Sequence, residues 1–115
     1  MNKEDLKIRT KKFATEVFIF LRTLEKTDEA RVLKNRLLRS ASSIAANYRS
    51  VCRGKSGADF LNKLKVVDEE ADESFLWLEM ICDLNLSCDR SKLKVLIKEA
   101  DELTAIFSAS IKTFK

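Results

Sequence analysis

The strongest constraint on the fold is the spacing of apolar residues, which recur every three or four positions in four separate segments. At about 100° per residue, this spacing places them along one face of a helix. The segments run approximately over residues 3–25, 29–53, 58–84 and 90–112. No proline interrupts them, and the only two glycines, Gly54 and Gly57, stand between the second and third segments. The sequence therefore predicts an all-α fold.

The apolar face of each segment predicts the hydrophobic core. The connections between segments are only about three to six residues long, which is typical of an antiparallel up-down-up-down four-helix bundle. At 115 residues, the chain 1–115 is expected to form a single domain. The predicted core residues are Leu6, Phe13, Val17, Phe20, Leu21 and Leu24, then Leu33, Leu37, Ala41, Ile44, Tyr48 and Val51, then Phe60, Leu64, Val67, Ala71, Phe75, Leu78 and Cys82, and finally Leu93, Leu96, Ile97, Ala100, Leu103, Phe107, Ile111 and Phe114.

Charge is distributed unevenly along the chain. Residues 30–58 contain seven lysines or arginines and no acid, whereas residues 59–85 contain eight acids against two lysines. The net charge of +4 does not by itself imply a polyanionic partner, so this asymmetry is the stronger signal. On the second helix the arginines lie opposite the core face, among small side chains that a phosphate backbone or another helix could approach. The candidate nucleic-acid-binding residues are Arg31, Arg39, Arg49, Arg53 and Lys55.

The third helix is apolar on two sides. The side that lies nearly opposite its core face has no further helix in this chain to cover it, which indicates an interface between copies of the chain. The acids beside that side are expected to pair with basic helix faces, within one subunit or between subunits. The candidate interface residues are Val66, Glu70, Glu73, Trp77, Met80 and Leu84.

The residue types argue against catalysis and bound cofactors. The chain has no histidine and three cysteines without a CxxC pair, so we expect no catalytic residue, no cofactor, no metal site and no disulfide framework. Glu69, Asp72 and Glu73 could together hold a cation, although charge pairing with basic residues is favoured. The N-terminus lacks a signal-peptide core and no apolar run is long enough for a membrane span. We therefore expect a cytoplasmic protein that does not bind membranes.

The stretch from Arg39 to Met80 resembles the four-helix-bundle proteins first found as reading frames in the intervening sequences of bacterial 23S ribosomal RNA genes. Ser50 departs from the pattern, because members commonly carry an acid after Asn-Tyr-Arg. The matching elements are Arg39-Ser40-Ala41, Ser43-Ile44, Ala46-Asn47-Tyr48-Arg49, Arg53, Ser56, Asp59-Phe60, Lys63, Val67, Glu70-Ala71, Glu73-Ser74 and Trp77-Leu78-Glu79.

This resemblance has implications for assembly and partners. It implies a ring of identical subunits, commonly a pentamer. It also implies kinship with the accessory bundle protein of diversity-generating retroelements, which works with a reverse transcriptase, so a nucleic-acid enzyme is a candidate partner. The family name records where the genes were found and is not evidence of ribosomal membership.

Two functions remain as hypotheses. The first is a non-enzymatic homo-oligomeric scaffold or accessory protein, and the second is a module that binds RNA or DNA without sequence preference. The second lacks an aromatic platform for stacking bases, because Tyr48 faces the core and Trp77 lies on the acidic helix. The scaffold is therefore favoured.

Overall fold

The predicted all-α fold is confirmed. The computed structural model describes residues 1–54 and 57–114. It contains helices α1 (Lys3–Leu21), α2 (Asp28–Cys52), α3 (Gly57–Asp83) and α4 (Arg90–Phe114). Each helix packs on the next, and α4 returns to α1, while the diagonal pairs make no backbone contact within the described residues. The result is a four-sided bundle with extents of 44 × 20 × 20 Å.

Contacts between α2 and α3 show that the two helices run in opposite directions. Arg39 binds Glu70, whereas Arg36, which precedes Arg39, lies over the ring of Trp77, which follows Glu70. Advancing along one helix therefore means receding along the other. The same reversal holds between α1 and α4, as described below, and gives the up-down-up-down arrangement.

The apolar spacing predicts the core of the first two segments correctly. All twelve of the core residues predicted from the first two segments are buried. Tyr48 is among them, and its ring packs against Phe107 of α4 with centroids 5.8 Å apart. On α4, Ile97 and Ile111 are only half-buried, and the side chain of Phe114 lies outside the described residues.

The predicted core of α3 needs correction. Phe60, Phe75 and Cys82 are half-buried rather than buried. Three residues outside the predicted face, Glu70, Ser74 and Ile81, are buried instead. At 100° per residue, the buried arc is turned by roughly 40° toward α2 relative to the prediction. This rotation of the buried arc is explained by polar contacts, because α2 provides a partner for each of the two buried polar side chains, Glu70 and Ser74.

The first of these partners is a serine. The hydroxyls of Ser40 and Ser74 lie 2.8 Å apart across the α2–α3 contact, and both side chains are completely buried. Two small residues facing each other allow the helices to pack closely, and the hydrogen bond satisfies both hydroxyls. The second partner is Arg39, which binds Glu70.

Helix α1 ends at Leu21, four residues before the predicted end. The hydroxyl of Thr23 donates to the carbonyl oxygen of Phe20 at 2.7 Å, and the chain turns so that Leu24 is buried from outside the helix. The backbone N–H of Glu25 then donates to the carbonyl oxygen of Ser87 at 2.9 Å. The apolar spacing extended through Leu24, and for that reason it did not reveal the turn.

The other helix ends follow recognisable capping chemistry. Asn2 and Asp5 form a capping box at the start of α1, and the side chain of Asp89 accepts from the N–H of Lys92 at 3.1 Å. After α3, Asn85 takes a left-handed conformation with φ of 54°, and the N–H of Leu86 returns to the carbonyl oxygen of Ile81.

The two loops at one end of the bundle are joined directly. Besides the backbone bond from Glu25 to Ser87, the N–H of Ser87 donates to the Glu25 carboxylate at 2.6 Å. The N–H of Asp89 donates to the hydroxyl of Thr23 at 3.0 Å. We call these three hydrogen bonds the loop clamp.

Ion pairs bridge the seam between α1 and α4. Arg9 donates to both carboxylate oxygens of Glu99, at 2.6 and 2.7 Å. Further along α1, Glu16 binds Lys92 at 2.7 Å. Arg9 precedes Glu16 whereas Glu99 follows Lys92, so these helices also run in opposite directions.

No helix within the described part of the chain is long and apolar enough to cross a bilayer.

Candidate interaction surfaces

Arg39 is compensated within its own chain. Its guanidinium donates to both oxygens of the Glu70 carboxylate, at 2.8 and 3.0 Å, in the bidentate geometry that arginine and carboxylate favour. It also reaches the two oxygens of Glu73 at 3.3 and 3.4 Å. Two candidate interface acids and one candidate nucleic-acid-binding arginine therefore belong to a single intrachain cluster.

The carboxyls of this cluster have opposite pKa shifts. Glu70 is only 7% exposed, and burial disfavours its charged form. Hydrogen bonds from Arg39 and Ser43 outweigh that effect, so the pKa of Glu70 is lowered. A hydrogen bond with Glu70, together with burial, raises the pKa of Glu73. With two carboxylates around one guanidinium, Arg39 has no uncompensated positive charge to offer a phosphate.

The remaining basic residues of α2 differ in their partners. Arg31 binds Asp28 of its own helix at 3.0 Å, in a pair that is largely exposed and contributes little to stability. Arg49 and Arg53 are exposed and form no ion pair with any residue of 1–54 or 57–114. Lys55 lies outside the described residues. Of the five candidate residues, Arg49 and Arg53 are therefore the ones that the described structure leaves available to bind phosphate.

The predicted second apolar side of α3 is partly exposed. Val66 and Leu84, from the predicted interface, are 40% and 46% exposed, and the neighbouring Leu76 is 45% exposed. Trp77 and Met80 instead pack partly against the core. The sequence placed both farther from the core because the actual buried arc is turned toward α2.

Trp77 is held mainly by contacts within its own chain. The guanidinium of Arg36 lies over its ring, 5.9 Å from the centroid. The indole nitrogen is buried and has no hydrogen-bond partner within the described residues. Of the predicted interface residues, Val66 and Leu84 are thus the apolar ones that remain most exposed.

A second exposed apolar surface lies on α1, and sequence reasoning did not identify it. Ile8, Phe18 and Ile19 are between 43% and 61% exposed. Phe18 and Ile19 line a shallow groove of about 410 Å³ between α1 and α2, together with Lys11, Thr15, Arg22, Ser42 and Ala45 among others. The signal was present in the sequence, since three large apolar residues stand off the predicted core face of the first helix.

Carboxylates and thiols form no metal-binding cluster in the described part of the chain. Of the three acids that could hold a cation, Glu73 contacts Arg39 of α2. No group of three or more cysteines and carboxylates among residues 1–54 and 57–114 is placed to hold a metal ion. The free thiols of Cys52, Cys82 and Cys88 are half-buried, and burial raises the pKa of Cys88.

Comparisons with known proteins agree with this architecture. The chain is similar to a crystal structure from Bacteroides thetaiotaomicron, described as a protein of unknown function from the S23 ribosomal protein family. The identity is 28% and the TM-score 0.81, with 93% of this chain and 98% of that chain covered. No curated protein matches the chain. The family model for 23S rRNA-intervening sequence proteins matches residues 4–109. The chain therefore belongs to the 23S rRNA-intervening sequence protein family.

Proposed function

We propose that this protein is a non-enzymatic scaffold or accessory protein that acts as a homo-oligomer. The observation that carries the proposal is the exposure of large apolar side chains on the outer faces of both α1 and α3. Clustered apolar exposure of this kind is typical of surfaces that another protein covers. The family resemblance suggests a ring of five subunits, and the absence of histidine from the chain supports a role without acid–base catalysis.

Sedimentation velocity across the micromolar range tests the proposal. We expect a single species larger than the monomer, whose mass gives the number of subunits. A protein that stays monomeric throughout the range, with native helix content by circular dichroism, would refute it.

A second candidate function is sequence-tolerant binding of RNA or DNA. The observation that favours it is the exposure of Arg49 and Arg53 without ion pairs in the described structure. Arg49 lies in the last turn of α2, and Arg53 caps the helix one turn further along the chain. Repetition of this pair around an oligomer would add weak phosphate contacts together through effective concentration.

The test is a double charge reversal, Arg49→Glu with Arg53→Glu. Binding of a long single-stranded RNA should be lost, and the wild-type affinity should fall linearly with salt on a double-logarithmic plot. The matched control is Lys94→Glu with Lys98→Glu on α4, which has the same spacing and the same change of charge at exposed positions. Equal loss of affinity in both variants would indicate only a general effect of net charge.

Measuring the mass of the same arginine variant separates the two functions. An intact oligomer that has lost RNA binding supports the nucleic-acid-binding module. A dissociated oligomer, together with a wild type that does not bind RNA at near-physiological salt, leaves the scaffold.

A further inference from the structure

We infer that the outer faces of α1 and α3 are the two complementary halves of one repeating contact between copies of this chain. The inference rests on the proposed self-association and adds which surfaces meet. The basic apolar surface on α1 consists of Ile8, Lys11, Phe18, Ile19 and Arg22. The acidic apolar surface on α3 consists of Val66, Glu69, Asp72, Leu76, Asp83 and Leu84.

The basic apolar surface is suited to receive a helix. At 100° per residue its members fall within one arc of α1, away from the arc that faces the core. Beside Phe18, the α1–α2 groove is bordered on the α2 side by Ser42 and Ala45, whose small side chains leave room for a neighbouring helix. Lys11 and Arg22 place positive charge at the two ends of the groove.

The acidic apolar surface has a matching size and pattern. From Val66 to Leu84 it spans roughly 27 Å of helix, compared with roughly 21 Å from Ile8 to Arg22, at 1.5 Å per residue. Three large apolar side chains are exposed on each surface. The acidic apolar surface carries three carboxylates with Lys65 as the base beside them.

Charge decides which surface meets which. Joining two basic apolar surfaces, or two acidic ones, would bring like charges together as water is excluded, which costs free energy. Joining one of each places carboxylates against Lys11 and Arg22 around an apolar centre. The occupant that satisfies both surfaces is therefore a second copy of this chain.

The position of the two helices determines the kind of assembly. Helices α1 and α3 occupy diagonal corners of the four-sided bundle, so their outer faces point away from each other. One neighbour covers only one of the two surfaces, and each added subunit leaves the other surface open for the next. Such a head-to-tail contact builds a ring when its rotation closes.

The test uses two variants that each damage one surface. Ile19→Asp places a carboxylate on the basic apolar surface, and Leu76→Lys places an ammonium on the acidic one. Both positions are nearly half exposed, so the fold should persist, and circular dichroism checks this. We expect each variant alone to have the monomer mass. An equimolar mixture should form a one-to-one dimer through the remaining intact pair of surfaces.

Matched controls come from the other two helices. Val32→Lys on α2 and Val95→Asp on α4 make the same kinds of change at exposed valines, and both should keep the wild-type mass.

Charge exchange provides a second test of the pairing. Lys11→Glu with Arg22→Glu should dissociate the assembly, and adding Glu69→Lys with Asp72→Lys in the same chain should restore it.

The outcomes distinguish this inference from the proposed function. A wild type that is monomeric refutes self-association and the inference with it. An oligomeric wild type whose Ile19→Asp or Leu76→Lys variant remains assembled leaves self-association standing and overturns the inference. The inference is also overturned if neither the mixture nor the charge-exchanged chain regains mass.

Discussion

The buried pair Ser40–Ser74 gives a prediction with an unusual signature. Each hydroxyl is fully buried, and the 2.8 Å hydrogen bond between them joins α2 to α3. Replacing one serine by alanine removes half of the pair and leaves the other hydroxyl in an apolar environment. Replacing both removes the need for the bond altogether.

The magnitudes follow from what each remaining hydroxyl can reach. A buried polar group left without a partner costs about 1–3 kcal/mol. After Ser74→Ala, the Ser40 hydroxyl still reaches the carbonyl oxygen of Leu37 at 3.5 Å, so we expect a loss of about 1 kcal/mol. After Ser40→Ala, Ser74 has no other hydrogen-bond partner in the described structure, and we expect about 2 kcal/mol. The double variant should lose about 1 kcal/mol, less than the sum of the two.

Urea denaturation followed by circular dichroism measures these losses. All four proteins are compared at the same concentration, because self-association would add to the apparent stability. In thermal unfolding, 1 kcal/mol corresponds to about 3–6 °C for a chain of this size. The matched control is Ser42→Ala, an exposed serine on the same helix, which should change the free energy of unfolding by less than about 0.5 kcal/mol.

Additivity is the result that would refute this reasoning. If the double variant loses the full sum of the two single losses, the hydroxyls do not depend on each other. Equal effects of Ser40→Ala and Ser42→Ala would show that the α2–α3 contact is not packed as described.

Three further predictions concern stability and titration. By urea denaturation, Ile44→Ala should lower the free energy of unfolding by about 2–5 kcal/mol, and Phe75→Ala by less because its ring is half-exposed. Arg49→Ala should lower it by under about 1 kcal/mol. An equal loss at Ile44 and Arg49 would contradict the assignment of faces. Burial raises the pKa of Tyr48 to about 12. Absorbance titration of this single tyrosine should therefore show ionisation well above its ordinary pKa of 10.0. Ionisation near 10 in the folded protein would contradict the burial. The lowered pKa of Glu70 contributes stability that is present above its ordinary value of 4.5 and is lost as the pH falls through the pKa of the folded protein. Glu70→Gln should therefore make stability less dependent on pH in the acid range. An unchanged acid dependence would count against the Arg39 pairing.

The buried face was predictable wherever one continuous apolar stripe dominates a helix. In the first two segments every core residue predicted from the spacing is buried, although Ile8, Phe18 and Ile19 form a second, exposed apolar surface on α1. On α3 the apolar residues lie on two sides, so periodicity cannot determine which arc is buried. The burial of Ser74 and Glu70 depends on partners in α2 more than thirty residues away, and no local pattern contains that information.

The interaction surfaces were predictable only in part. The sequence shows a basic segment and an acidic one, but whether their charges meet within one chain depends on how α2 and α3 are rotated. The structure places Arg39 against Glu70 and Glu73, whereas Arg49 has no such partner among residues 1–54 and 57–114. The surface formed by Ile8, Phe18 and Ile19 was not predicted, because these residues lie outside the periodic stripe that predicts the core of α1.

The loop clamp makes the two ends of the bundle mechanically unequal. It fastens α1 to α4 at the end where residues 22–27 and 84–89 meet, whereas the polar contacts described along the rest of that seam are partly exposed ion pairs. Salt screens such pairs but hardly affects short hydrogen bonds between loops. Local opening should therefore start at the opposite end and swing α1 about the clamp as a hinge. In high salt, amide hydrogen exchange should accelerate most around Leu6 and least around Phe20, because the start of α1 is the part of the bundle that opens.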